Sequence, residues 1–146
     1  NEENSIRIMQ RLQGHKHLIQ GNHDRVKGKL RPYWASIEQY AEVNDENRLV
    51  ILSHYPIPFY KNQHYGAVML YGHVHNTREW SLVEKWKNEQ WTMGMPSRLI
   101  NVGCMMAYMN YTPRTLDELL EANPQPMIKR IRKDGTNAGE NSNGEL

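Results

Sequence analysis

Two histidines separated by one residue, His73 and His75, follow a short apolar run in this 146-residue chain. The run, residues 67–71, predicts a buried strand that ends just before Gly72. Alternate side chains of an extended chain point to the same side and lie roughly 6–7 Å apart. The two imidazoles could therefore bind one metal ion or two neighbouring ions, although such pairs are also common at surfaces and in cores.

Two other predicted strands end in similar chemistry. The strand at residues 17–20 leads into Asn22 and His23, and the strand at residues 48–52 leads into His54. Open α/β sheets place ligand sites beyond the carboxyl ends of their strands. If the three strands are neighbours, four histidines and an asparagine share one cleft. Their wide separation along the chain excludes a zinc finger and suits a site assembled from separate strands.

Imidazole nitrogens combined with an amide oxygen suit Mn, Fe, Ni or Zn better than calcium. Two adjacent divalent ions can bridge a phosphoryl oxygen and stabilise its in-line displacement. Asn22 would supply a ligand without negative charge, so the site would still attract phosphate. His23 could donate a proton to a leaving oxygen, with Asp24 holding its imidazole. Taken alone, residues 21–24 are interpreted more simply as a polar turn.

The remaining histidines are interpreted as surface residues. His15 and His17 also alternate, but they lie at the start of their strand and so belong at the opposite edge of the sheet. His64 lies in a polar loop. Position along each strand therefore separates the candidate ligands from the other histidines.

The elements that must position these side chains alternate in the manner of an α/β domain. A first helix is predicted from apolar spacing, with Ser5 as its N-cap and Gly14 as its stop. The tryptophans of a later helix are expected to form an amphipathic packing face. The other predicted elements are a strand at residues 36–43, a turn at 44–47, a helix at 79–91, a strand at 98–102 and a capping-box helix that begins at Thr115.

Composition limits the functional classes. The formal net charge is +2 and the sequence pI is near 8.7, so charge alone indicates neither a nucleic-acid nor a membrane partner. Cys104 is the single cysteine, which fits a reducing compartment, and no apolar run approaches membrane-spanning length. We therefore expect a cytoplasmic protein. Residues 124–146, with the basic run 129–133, predict a disordered polar tail.

Three ordered motifs carry a family resemblance: Gly-Asn-His-Asp at residues 21–24, a strand that ends in His54, and Gly-His-Val-His at residues 72–75. Together they resemble the last three motifs of the calcineurin-like metallophosphoesterase superfamily, and its small prokaryotic and phage members above all. The resemblance covers roughly residues 5–123. It implies an α/β sandwich of two mixed sheets flanked by helices, an αββα arrangement. The implied activity is metal-dependent hydrolysis of phosphate mono- or diesters.

The resemblance also implies roles for individual residues. Asn22, His54 and His73 would bind one divalent transition-metal ion, and His75 would bind a second ion. Asn22 and His23 would contact the phosphate of the substrate. His23 would also assist the leaving group as a catalytic residue, with Asp24 orienting it.

The chain departs from the family at its beginning. The family opens with an Asp-x-His motif and a Gly-Asp motif whose aspartate bridges both metals, and none of the four aspartates here fits either motif. Residues 1–123 are therefore predicted to be an N-terminally incomplete domain. We expect weak metal binding, little or no activity in isolation, and an exposed sheet edge with apolar surface. The complete enzyme should lose activity below about pH 6, because its ligand imidazoles must be neutral.

Two other functional classes stay open. One is a degenerate, non-catalytic module that binds one metal or serves as a scaffold for a partner. The other is a nucleic-acid binder that acts through the basic tail. If the chain is instead a phosphoesterase, we expect nucleic acid to interact with it only as a substrate. Substrate, native metal and oligomeric state are undetermined. Four aromatic residues near the motifs are equally compatible with stacking on a base and with packing: Tyr33, Tyr55, Phe59 and Tyr60.

Overall fold

The computed structural model describes residues 2–26 and 28–125. Almost all of the predicted tail, including its basic run, lies outside the described residues. Among the helices that are described, none combines the length and the apolar character needed to cross a membrane.

Two open sheets and several helices form a mixed α/β structure, which confirms the predicted class. The smaller sheet pairs two short strands in parallel, β1 (His17–Ile19) and β2 (Ser36–Glu38). The larger sheet contains four strands in the order β3 (Tyr40–Asp45), β4 (Arg48–Ser53), β5 (Val68–Tyr71) and β6 (Leu99–Asn101). The helices are α1 (Glu2–Arg11), α2 (Arg78–Thr92) and α3 (Leu116–Ala122).

The larger sheet combines one hairpin with parallel pairing. Strands β3 and β4 are antiparallel, whereas β4, β5 and β6 run parallel to one another. Glu46 and Asn47 both have positive φ, at 48° and 69°, which is the backbone of a tight hairpin turn. The Asn44 side chain accepts a hydrogen bond from the Asn47 backbone N–H and closes the turn. The predicted turn therefore lies where expected, with its first two residues still in β3.

The prediction of one strand over residues 36–43 is wrong. The chain leaves β2 at Glu38 and enters β3 at Tyr40, so this segment contributes to both sheets. Polar and apolar residues alternate loosely on both sides of Gln39. Only the pairing partner changes, from β1 for β2 to β4 for β3. Local periodicity cannot reveal a change of sheet, because each strand partner is distant in sequence.

Helices cover both faces of the four-stranded sheet. Ile51, Met69 and Leu99 are fully buried on one face, where Trp80 and Trp86 of α2 pack against the same cluster. The neighbouring residues of the same strands point to the other face and join α3 in a second cluster: Val50, Val68, Ile100, Leu116 and Leu119. The predicted packing face of α2 is confirmed. Strands buried on both faces are typical of parallel pairing.

Two of the three described α-helices, α2 and α3, begin with a side-chain N-cap. The Thr115 hydroxyl accepts from the Glu118 backbone N–H while the Glu118 carboxylate accepts from the Thr115 N–H, as the capping box predicts. The Thr77 hydroxyl caps α2 with a single bond, which it accepts from the Glu79 backbone N–H. Helix α1 instead begins at Glu2, so the prediction of Ser5 as its N-cap is wrong.

A buried pair of glutamines connects the loop before β5 to the end of α2. Gln63 and Gln90 are 4% and 2% exposed. The Gln63 amide donates to Gln90 Oε1 at 2.9 Å and to the Pro96 carbonyl at 2.8 Å. The Gln90 amide donates in turn to the Pro58 carbonyl at 3.3 Å. These bonds satisfy polar groups that would otherwise be buried without partners.

Replacing Gln63 by leucine should destabilise the fold, because the Gln90 and Pro96 oxygens would lose their donors. The expected loss in the free energy of unfolding is about 1–3 kcal/mol, measured by urea denaturation. Gln13→Leu, at an exposed position, is the matched control and should have little effect. Equal stability of the two variants would contradict a structural role for the buried amide.

Candidate metal centre

The pairing of β4 with β5 brings the first two candidate ligands together. Ser53 and Tyr71 are partners at the ends of the two strands. One step further, the Gly72 backbone N–H donates to the His54 carbonyl at 3.1 Å and continues the ladder. His54 and His73 therefore leave the same edge of the sheet side by side, which is where parallel sheets place their ligand sites.

Asn22 reaches the same point from the other sheet. Its Oδ1 atom lies 2.8 Å from His54 Nε2 and 3.3 Å from His73 Nδ1. The two imidazole nitrogens are themselves 3.1 Å apart. Three donor atoms from three separate segments thus form a nearly equilateral triangle. We call Asn22, His54 and His73 the three-donor cluster.

The size of this triangle fits a single transition-metal ion. Two ligand atoms each about 2.1 Å from one ion, at right angles to each other, are about 3.0 Å apart. An ion above the triangle could therefore contact all three atoms if the lone pairs of both imidazoles point towards it. Each ring would then carry its proton on the other nitrogen, His54 on Nδ1 and His73 on Nε2.

The three-donor cluster contains no anionic ligand. Within residues 2–26 and 28–125, no three His, Cys, Asp or Glu side chains come together as a group that could hold a metal. The third donor here is an amide oxygen, so the ligand set is neutral. Such a set fits one borderline ion, and the described residues do not assemble a second site.

The turn that presents Asn22 is closed by Asp24. The Asp24 carboxylate accepts from the Gly21 backbone N–H at 2.7 Å, and the Asp24 N–H donates to the Gly21 carbonyl at 3.2 Å. The carboxylate therefore holds the backbone of the turn, and its proposed orientation of His23 stays a prediction. His23 is exposed at the tip of this turn.

His75 lies outside the three-donor cluster. The expectation of an extended His73–His75 segment is wrong, since β5 ends at Tyr71 and the two histidines have φ of 59° and 49°. The alternation of strand side chains therefore does not apply to them. The His75 imidazole is exposed, yet it is close enough to act electrostatically on His54. Its role as ligand of a second ion stays a prediction.

Asn101 supports this loop and was missed in the sequence. It is 1% exposed at the end of β6. Its side-chain amide donates to the His75 carbonyl at 2.7 Å, and its Oδ1 accepts from the Gly103 N–H at 2.9 Å. A polar residue between Ile100 and Val102, inside an apolar strand pattern, was the signal available. Buried amides usually hold backbone groups in this way.

The four aromatic candidates separate in the structure. Tyr55 is 49% exposed, and its ring centroid lies 4.4 Å from that of His73, beside the cluster. Tyr60 is buried, and its hydroxyl accepts from the Arg98 backbone N–H at 2.8 Å, so it is a packing residue. Phe59 meets Trp86 edge to face and the Tyr33 hydroxyl accepts from Gln10, both away from the cluster. Tyr55 alone of these four lies against a cluster histidine.

The other three histidines are exposed, as predicted. His17 Nδ1 lies 2.8 Å from the Ser36 hydroxyl, which connects β1 to β2. His15 and His64 are surface residues in the segments before β1 and before β5.

No family model, no curated protein and no solved structure matches this chain. The resemblance to metallophosphoesterases therefore depends on the three motifs and on the geometry that joins their residues.

Gly21 leaves space for the His54 ring. A Cβ atom at residue 21 would lie 2.6 Å from His54 Cε1 and 2.8 Å from Nδ1, closer than atoms can approach. The glycine is therefore required by the position of the imidazole. By contrast, a Cβ at Gly72 would meet its nearest atom, the His54 carbonyl oxygen, at an ordinary 3.8 Å.

Gly21→Ala should displace the His54 ring and separate the donor atoms. We expect a destabilisation of about 1–3 kcal/mol and a Mn²⁺ affinity lower by about tenfold or more. Urea denaturation and calorimetric titration measure the two effects. Gly72→Ala is the matched control and should retain both properties, since its added methyl group has room. Loss of metal affinity in both variants alike would contradict the specific contact with His54.

The pKa of His54 is lowered from its usual value, first because burial disfavours the charged ring and second because His73 repels it. The Asp24 carboxylate opposes this shift. The ring is thus kept neutral, which is the form that binds a metal.

The lowered pKa of His54 also predicts how stability depends on pH. The unfolded chain binds the His54 proton more readily than the folded chain, so protonation favours unfolding. The free energy of unfolding of the metal-free protein should therefore fall as the pH drops below about 6.5, the ordinary pKa of histidine. Urea denaturation across pH 5–8 tests this expectation. His54→Gln should flatten the profile and His64→Gln should not; an unchanged profile in His54→Gln would refute it.

Proposed function

We propose that this chain is part of a metal-dependent phosphoesterase of the calcineurin-like superfamily, which hydrolyses phosphate mono- or diesters. The supporting observation is the three-donor cluster, in which atoms of Asn22, His54 and His73 lie within 3.3 Å of one another. Three motifs that are distant in sequence contribute one donor each. A polar turn and two unrelated surface histidines would have no reason to converge in this way.

The proposed metal is a divalent transition ion such as Mn, Fe, Ni or Zn, held by the three-donor cluster. When bound, it would act as a Lewis acid towards a phosphoryl oxygen of the substrate. The neutral ligand set has a further consequence for binding. Because Asn22, His54 and His73 add no negative charge, they leave the attraction for an anionic ester undiminished.

His23 and Asn22 are the proposed substrate-binding residues. His23 is exposed beside Asn22, so its ring is accessible to an ester bound at the cluster. It would contact the phosphate and donate a proton to the leaving oxygen. Asp24 lies in the same turn and is proposed to orient the His23 ring.

The complete site would hold two ions, with His75 as a ligand of the second, inside an αββα sandwich. Within residues 2–26 and 28–125, His75 is not part of any group of three His, Cys, Asp or Glu side chains that could hold this ion. We therefore propose that the described residues bind one ion weakly and turn over substrate slowly. The exposed position of His75 leaves it accessible to further ligands.

Metal titration tests the proposal directly. We expect Mn²⁺ to bind at one site per chain in isothermal titration calorimetry, and His54→Gln or Asn22→Ala to weaken binding by about tenfold or more. His17→Gln, at an exposed histidine outside the cluster, is the control and should bind as the parent does. Unchanged affinity in both cluster variants would refute the metal site. Tight binding of two ions with rapid phosphatase activity would refute the proposal that the metal site in these residues is incomplete.

The alternative is a non-catalytic module that binds one metal or serves as a scaffold. It is favoured by one observation: the described residues form the three-donor cluster but no further group of three His, Cys, Asp or Glu side chains that could hold a second ion. Hydrolysis of p-nitrophenyl phosphate in the presence of Mn²⁺ separates the two functions. An enzyme should lose turnover in His23→Asn while retaining metal affinity, whereas a scaffold should show no hydrolysis above that of free Mn²⁺.

A further inference from the structure

A cavity of about 390 Å³ opens beside the turn that carries His23. Its walls come from α1, from β1 and from the segment that follows the turn. Most of the lining side chains are apolar, and the charged or ionisable ones lie together on the turn. The lining residues of the apolar part are Ile8, Met9, Leu18, Val26, Leu30 and Trp34.

The apolar part of this cavity is open to solvent. Ile8 is 58% exposed, although it lies on the helix that also buries Met9. Trp34 and Leu30 are only half-buried. Apolar side chains left uncovered around a concavity commonly mark a ligand site. The volume lies in the usual range for small-molecule pockets, roughly 300–1,000 Å³.

The polar end of the cavity lies on the cluster's side, since two of its lining residues, His23 and Asp24, are close enough to act electrostatically on His54. His23, Asp24 and Arg25 line it, and they directly follow Asn22 in the chain. An ester whose phosphate lies at Asn22 would therefore extend its other half past His23 into the apolar part. Of the two charged residues at this entrance, Arg25 attracts an anionic ester and Asp24 repels it.

We propose that this cavity binds the leaving group of the phosphoester, and that the leaving group is an aryl or similarly flat apolar alcohol. The inference rests on the proposed phosphoesterase function and names its substrate class. Trp34 supplies a flat wall against which an aromatic ring can stack. Leu30 and Val26 supply the apolar contacts that a sugar or glycerol leaving group could not use.

The position of His23 matches the chemistry of this substrate. In hydrolysis, water oxygen forms a bond to phosphorus and the bond between phosphorus and the leaving oxygen breaks. The leaving oxygen takes up a proton, for which His23 is the proposed donor, and the attacking water gives up a proton, so the protons balance. The products are inorganic phosphate and the free aryl alcohol. His23 lies at the boundary between the phosphate end and the apolar end, where that oxygen would be.

Binding of two phosphate monoesters tests the proposal without relying on turnover. With Mn²⁺ present, 1-naphthyl phosphate should bind at least about tenfold more tightly than methyl phosphate, because its ring buries apolar surface. It should also change the tryptophan fluorescence through Trp34. Leu30→Trp and Val26→Phe fill the cavity from two positions and should each remove the preference while retaining Mn²⁺ affinity. Leu82→Trp is the control, since Leu82 is 66% exposed on α2 and outside the cavity.

Three binding results would each overturn the inference: equal affinity for the two esters, a preference that survives in both cavity-filling variants, or 1-naphthol binding as tightly as the ester without metal. A second copy of the chain covering the cavity would appear as a dimer in sedimentation that 1-naphthyl phosphate does not dissociate, and this also refutes it. Failure of the proposed function is distinguishable. In that case Mn²⁺ itself does not bind, whereas failure of the inference alone leaves Mn²⁺ affinity intact and abolishes only the preference for the aryl ester.

Discussion

The parallel pairing of β4 with β5 is the constraint on which the candidate site depends. The two strands lie at the centre of a sheet that helices cover on both faces, so residues such as Ile51 and Met69 are fully buried. Burying each such side chain contributes about 1.5–3 kcal/mol relative to exposure. A slip of one residue would turn every one of them to the opposite face. The core therefore fixes the register, and the register places His54 beside His73.

Close packing also determines how Asn22, the third donor, reaches His54 and His73. Asn22 belongs to a turn that follows a strand of the other sheet, and the absence of a side chain at Gly21 allows that turn to approach His54. The Asp24 carboxylate closes the turn by accepting a hydrogen bond from the Gly21 backbone N–H. On the other side, the buried amide of Asn101 holds the His75 carbonyl and with it the loop after His73. The donor triangle is thus held by backbone contacts on both sides.

The chemistry proposed for the site follows from its neutral donor atoms. Burial and the neighbouring His73 lower the pKa of His54, so a neutral imidazole faces a neutral amide oxygen. In the proposed function this cluster would bind a cation and a phosphate, the cation less tightly than a site with bridging carboxylates would. The nearby cavity is lined mainly by apolar side chains. The proposed substrate, anionic at one end and flat and apolar at the other, would complement both.

The sequence by itself determined the features that arise from neighbours along the chain. Apolar runs predicted β1, β4, β5 and β6 to within one or two residues, spacing predicted α2, and the capping-box pattern of Thr115 and Glu118 predicted the start of α3. The ends of these strands also predicted that Asn22, His54 and His73 would lie together, as they do, while their role as metal ligands stays a prediction. The predicted elements are present because period, capping and turn chemistry act over a few residues.

The tertiary structure decided what depends on partners distant in sequence. It divided residues 36–43 between two sheets, gave His73 and His75 left-handed backbones instead of an extended one, and assigned the buried amide of Asn101 to the His75 carbonyl. It also set the donor distances, which follow from packing between two sheets. Burial and strand pairing are properties of the whole core, and no local pattern specifies which surfaces will meet.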